Sequence, residues 1–265
     1  MDPRLRTPAL SGDLAALNRA LDEGADPNLA DADGYNPLIF ACENNHVDCA
    51  ARLIEAGARI DCQTDYGRTP LNIAARYGHV DMIRVLLAGG AQVDFCPSNS
   101  VLQFYELPPL HYAIEIRHNL PGLPRTATTA AVRALLEAGA DPNPEQPVLS
   151  SAVFLGRPIL QLLLRAGASI EPALMEFETV DGLDEDHAEQ VYYLRAVHAA
   201  GGFPAYARAH RSLFVGILSR CTRLPAVIIP KIIEYWVHLG WYPGTAREIP
   251  AALRRSPYRY PYVGS

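Results

Sequence analysis

Glycine recurs at Gly24, Gly57, Gly90, Gly139 and Gly167, with gaps of 33, 33, 49 and 28 residues. Two equal gaps in succession confine the chain to a stack of small repeated units, because a unit of that length has too little interior to stand alone and needs neighbours to cover its faces. Gly67 to Asp94 shows what one unit contains. Thr69-Pro70-Leu71 opens a first helix, with Pro70 at a position where its missing N–H costs nothing. Ala74 and Ala75 are small enough for a second helix to pack closely, and Gly78 supplies the left-handed residue that ends the first. Val80, Ile83, Leu86 and Leu87 recur at helical spacing as the apolar stripe of the second helix, which Gly89-Gly90 stops.

The same grammar extends in both directions. Matching prolines stand at Pro37, Pro70, Pro109 and Pro147. The unit before, Gly34 to Tyr66, carries Asn36-Pro37-Leu38 and closes on Glu55-Ala56-Gly57-Ala58. Asn45 replaces the turn glycine there, and asparagine tolerates a left-handed backbone better than most residues. The first unit, Asp2 to Asp33, lacks a Thr-Pro-Leu opening and reads as a terminal repeat with one face to water. Later units open on Pro109-Leu110-His111-Tyr112-Ala113 and Pro147-Val148-Leu149. A degenerate sixth opens on Pro172-Ala173-Leu174-Met175, is striped by Val191, Leu194 and Val197, and closes on Ala200-Gly201-Gly202. Its inner turn reads as a solvated acidic loop containing Asp181, Asp184, Glu185 and Asp186, without the ligand spacing of a calcium loop.

Two insertions interrupt the period. Phe95 to Glu106 adds six residues between the third and fourth units, since Pro70 to Pro109 is 39 rather than 33. The stretch near His118 to Thr129, with Pro121, Gly122 and Pro124, reads as an exposed loop between the two helices of the fourth unit.

Thr69-Pro70-Leu71, the small Ala74-Ala75 pair, Gly78-His79 and the 33-residue glycine spacing together resemble the ankyrin-repeat family. The resemblance implies an all-α ankyrin-repeat solenoid, built of helix-turn-helix repeats with β-turn fingers, plus a small C-terminal helical cap. On this reading residues 1–203 form the repeat domain, 204–250 the cap or docking segment and 251–265 an extended tail. His46 and His79 fall where a family histidine bonds to backbone.

The composition shifts after Gly202, where both tryptophans (Trp236 and Trp241) and six of the thirteen tyrosines lie. Tyr206 to Cys221 and Leu224 to Leu239 read as helices, and the Arg/Tyr/Pro-rich end as extended chain. Leu213, Ile217, Leu224 and Pro225 loosely resemble a SOCS box or F-box-like helix set, which would imply docking on a cullin-type ubiquitin ligase. The sequence departs from that pattern at Ile217, where a cysteine is usual, and Leu-Pro occurs once rather than twice. Lys231 is the only lysine against 22 arginines, which would protect a ligase receptor from modifying itself and equally follows from codon bias. The alternative for this segment is an aromatic cap over the last repeat.

A net charge of -6 provides no basic field for nucleic acid. No apolar run follows Met1-Asp2-Pro3-Arg4 as in a signal peptide, and Leu224 to Trp241 is too interrupted to span a bilayer. Cys42, Cys49, Cys62, Cys96 and Cys221 form no Cys-x-x-Cys pair, which argues against a zinc site or disulfide framework and for a cytoplasmic protein with reduced thiols. There is no Gly-x-Ser-x-Gly elbow, phosphate-cradling glycine loop or His-Glu-x-x-His. The expectation is therefore a non-catalytic module without metal or cofactor, acting as a monomer or as a subunit of a hetero-complex.

In the ankyrin family, partners are held by the finger tips and the exposed face of the first helices. That resemblance selects Asp33, Tyr35, Glu43 and Asn44 in the second unit, and Asp65, Tyr66, Arg68, Arg76 and Tyr77 in the third. Phe104 and Tyr105 join them as aromatics of the lengthened finger. Protein–protein recognition is the resulting function; a ligase substrate receptor and a structural subunit of a larger assembly are the alternatives.

Overall fold

A computed structural model describes residues 2–96, 107–115, 125–144, 148–177 and 183–209. Five helix pairs follow one another: α1 (Pro3–Ser11) with α2 (Leu14–Asp22), α3 (Pro37–Glu43) with α4 (Val47–Glu55), α5 (Pro70–Tyr77) with α6 (Val80–Ala88), α7 (Pro109–Glu115) with α8 (Arg125–Glu137), and α9 (Val148–Val153) with α10 (Arg157–Ala166). The first helices pack in series, α1 on α3, α3 on α5, α5 on α7 and α7 on α9; the second helices do the same. Two helical layers result, the architecture of an ankyrin solenoid. No strand occurs among the described residues.

Each inner helix starts with the chemistry its sequence offers. Asn36 accepts from the Ile39 N–H at 2.9 Å and Thr69 Oγ1 from the Asn72 N–H at 3.1 Å, with Pro37 and Pro70 next in line. Caps of this kind satisfy backbone donors that the helix cannot. Asn45 is left-handed at φ 57°, alone in this among the described non-glycine residues, and Gly78 matches it at φ 66°.

The core repeats with the same period. Ala16, Cys49 and Met82 stand 33 apart, as do Leu17, Ala50 and Ile83, and Ala20, Leu53 and Leu86. Apart from Ala16 at the terminal repeat, all are buried. The stripe expected on α6 is corrected here: Met82, Ile83 and Leu86 are buried, whereas Val80 and Leu87 are only half-buried. Those two flank the stripe's edges, where the next repeat covers them incompletely.

The insertion of the fourth unit is shorter than the sequence suggests, because α8 begins at Arg125 and residues 125–129 are helical. The rest of that loop, most of the long finger with Phe104 and Tyr105, and Pro147 lie outside the described residues, as do Asp181, Leu213, Ile217, Leu224 and Pro225.

The chain divides into two compact units, Met1–Ala173 and Leu174–Ser265. A short helix, α11 (Glu171–Glu176), precedes α12 (Glu185–Ala199), which buries Val191, Tyr193, Leu194 and Val197. The acidic stretch is corrected to a helix start. Asp184 is the N-cap, accepting from the His187 N–H at 2.9 Å, and Glu185 and Asp186 occupy the first turn, where negative charge suits the helix dipole. Tyr206 meets Tyr193 edge-on, with ring centroids 5.5 Å apart.

Candidate protein-binding surface

Side chains tie each repeat to the next at two recurring places, and these fix where the finger tips stand. At the outer end, the residue four after the closing glycine reaches the following repeat. Asn28 accepts from the Arg59 N–H (2.8 Å) and donates to the Gly57 carbonyl (3.1 Å). Asp61 accepts from Gln92 N–H (3.2 Å), Asp94 from Asp141 N–H (3.1 Å), and Asn143 from Ser169 N–H (2.6 Å) while donating to Gly167 O (3.0 Å). Burial raises the Asp94 carboxyl above its usual range, and the Asp141 N–H opposes that rise. At the inner end, His46 Nε2 donates to the Leu10 carbonyl at 2.9 Å, and His79 donates to the backbone of Glu43. Leu10 and Glu43 are themselves 33 residues apart, so both histidines serve the C-terminal end of the preceding inner helix, as the family resemblance implies.

The fingers between the units are turns built on Asp31 and Thr64. Asp31 carboxylate accepts from Tyr35 N–H at 2.8 Å and Thr64 Oγ1 from Arg68 N–H at 3.2 Å. Neighbouring fingers join where Asp65 N–H donates to Asp33 O at 3.0 Å. Gly34 has φ 79°, and a Cβ there would sit 2.8 Å from the Asp65 nitrogen. Only glycine allows the two fingers to approach this closely.

This frame brings most of the selected residues to one surface. The Tyr35 ring packs against Phe40, with centroids 5.3 Å apart and planes at 35°. Burial pushes the Tyr35 phenol up; Glu43 adds to the rise, Arg68 opposes it, and Tyr77 and Tyr66 contribute further. Five of the selected residues from two repeats therefore share one electrostatic neighbourhood. Tyr66 is 46% exposed, with the Arg68 guanidinium 6.0 Å above its ring. Arg76 lies 6.0 Å over Tyr77, which stacks on His79 at 5.7 Å. Asp33, Asp65 and Asn44 are exposed at the margin, the last donating to Phe40 O at 2.9 Å.

Two members escaped sequence reasoning. Phe40 is buried beneath Tyr35, and the Arg6 guanidinium lies 5.7 Å over its ring. Leu5 stands 33 residues before Leu38, a register that would have aligned Arg6 with the inner helices despite the missing Thr-Pro-Leu.

Residues 8–97 match the family model for ankyrin repeats, in three copies. This stretch, residues 8–97, carries ankyrin repeats. Human ankyrin repeat domain-containing protein 39 is 38% identical over 56 residues, which is 21% of this chain and 31% of that relative's length. The matched ankyrin repeats include the pairs α3–α4 and α5–α6, which hold the aromatic–arginine surface. Ankyrin repeats are in general protein–protein interaction modules. Among the described residues, no helix is long and apolar enough to cross a membrane, and no group of three His, Cys, Asp or Glu side chains is arranged to hold a metal ion.

Proposed function

We propose that this protein recognises a partner protein, without catalysing a reaction, through the finger tips and inner-helix face of its second and third repeats. The aromatic–arginine cluster carries the reading: Tyr66 is exposed, and Tyr35, Tyr77, Arg68 and Arg76 are half-buried beside it on the same two repeats. Tyrosine and arginine dominate binding energy at interfaces because they present rigid, amphipathic area at small entropic cost. Asp33, Glu43, Asn44 and Asp65 supply the polar rim around it. Phe104 and Tyr105 would extend the contact from the long finger. The protein would act as a monomer or as one subunit of a hetero-complex, in the cytoplasm. Its buried free thiols Cys42 and Cys49, both pushed up by burial, suit a reducing compartment.

The test is affinity capture with the immobilised full chain. A partner recovered by the wild type is expected to be lost by Tyr66→Ala/Tyr77→Ala and kept by Asp81→Ala/Arg84→Ala, which alters the exposed side of α6. Equal recovery by both double variants would overturn the assignment of this surface.

A further inference from the structure

Three arginines on this surface differ from three others of the first compact unit. Arg4, Arg52 and Arg84 each sit beside a carboxylate, at 2.8, 3.5 and 3.1 Å from Asp2, Asp22 and Asp81. Arg6, Arg68 and Arg76 have no ion-pair partner among the described residues. Each instead lies over an aromatic ring, on Phe40, Tyr66 and Tyr77, at 5.7, 6.0 and 6.0 Å. The Arg76 Nε is buried without a hydrogen-bond partner.

A guanidinium laid over a ring is held by the ring's face, while its N–H donors project in its own plane. That is the geometry for gripping a carboxylate by two parallel hydrogen bonds. The Arg6–Phe40 and Phe40–Tyr35 contacts, with the shared neighbourhood of Tyr35 and Arg68, join the first three repeats into one surface. Charge of this sign is at odds with a chain of net charge -6. Carboxylates also interrupt it, at Glu43 at the end of α3 and at Asp33 and Asp65 on the fingers. A continuous polyanion such as nucleic acid would meet repulsion at each of them, whereas a peptide with spaced acidic side chains could place its charges between them.

We propose that the surface around Arg6, Arg68 and Arg76 binds a polypeptide segment whose spaced Asp or Glu side chains are gripped by ring-stacked guanidinium groups. This rests on the protein-recognition reading above and specifies the partner's chemistry.

The experiment pans a display library of short random peptides on the full chain. It repeats the selection on Arg6→Gln/Arg68→Gln/Arg76→Gln, with folding checked by circular dichroism. Peptides selected by the wild type are expected to carry an excess of Asp and Glu over the input library, and the variant should lose that excess. A selected peptide should bind about tenfold more weakly when its acids become Asn and Gln, and by a similar factor to Arg68→Gln alone should the triple variant fail to fold. Arg68→Lys/Arg76→Lys should recover part of the loss, since charge remains but the planar fork does not. Selected peptides without acidic excess, equal excess from wild type and variant, or tighter binding of single-stranded oligothymidylate would overturn the acidic-segment inference alone. Recovery of no binder at all would overturn the recognition reading with it.

Discussion

The second and third repeats follow one another at 33 residues, whereas Gly90 and Gly139 lie 49 apart and Gly139 and Gly167 only 28. The ties between repeats ignore this difference. The bond from the residue four after the closing glycine spans 31 residues in the regular region, then 47, then 26. The tie forms whatever the length of chain between its partners, because loop length costs little once the ends are fixed. The inner tie behaves otherwise. Repeats two and three have His46 and His79 before their second helices, while the fifth has Gly156, with no side chain to reach its neighbour. The outer tie is thus common to every junction described, and the inner tie belongs to the regular region, where the aromatic–arginine surface lies.

The two regions are expected to be packed alike in the core. Leu86→Ala should cost about 3 kcal/mol in chemical denaturation, since Leu86 is fully buried between repeats, and Leu160→Ala in the fifth repeat should cost about as much. A clearly smaller loss at Leu160 would mean that the irregular repeats are packed differently. Gly34→Ala should cost about 2 kcal/mol or more, because it combines a positive φ with a clash on the next finger. Gly57→Ala has the positive φ but nothing within 4 Å, and should cost about half that. Comparable losses for the two would remove the finger-contact argument. Asn28→Ala and Asn143→Ala should each lower stability by about 1 kcal/mol, and a silent Asn143→Ala would break the claim that the outer tie survives irregular spacing.

The inner tie has a pH signature. Burial holds the His79 imidazole below its ordinary 6.5, so the unfolded chain takes up a proton first as pH falls. Its contribution is fully present above about pH 6.5 and is lost as pH drops through the lower folded value. Denaturation midpoints at pH 7.5 and 5.5 should therefore differ more for the wild type than for His79→Gln, and an unchanged difference would refute the assignment. Arg84→Ala, which breaks the exposed pair with Asp81, should change stability by less than about 0.5 kcal/mol.

Much of this was legible beforehand because it is local. A left-handed turn demands Gly78 or Asn45, a capped start favours Thr69-Pro70, and a 33-residue rhythm follows from both. The acidic stretch, a loop by composition and a helix start in the structure, shows the limit. Asp184 is as much an N-cap signal as a loop residue, and a helix behind it decides between them. Helical spacing puts Val80 and Leu87 in the stripe, yet Met82 is buried where they are only half-buried, because periodicity names a face but not how far the next repeat covers it.

By itself, then, the sequence determined the repeat, the pairing of helices and the sites of the turns, since each depends on backbone preferences within a few residues. Only the tertiary structure decided that His46 meets Leu10, that Asn143 meets Ser169, and that Arg6 lies over Phe40. Those meetings join residues 36, 26 and 34 positions apart, and such distances close only when stacking sets each helix's rotation against its neighbour. No local preference encodes that rotation; it follows from the shape of the packed core.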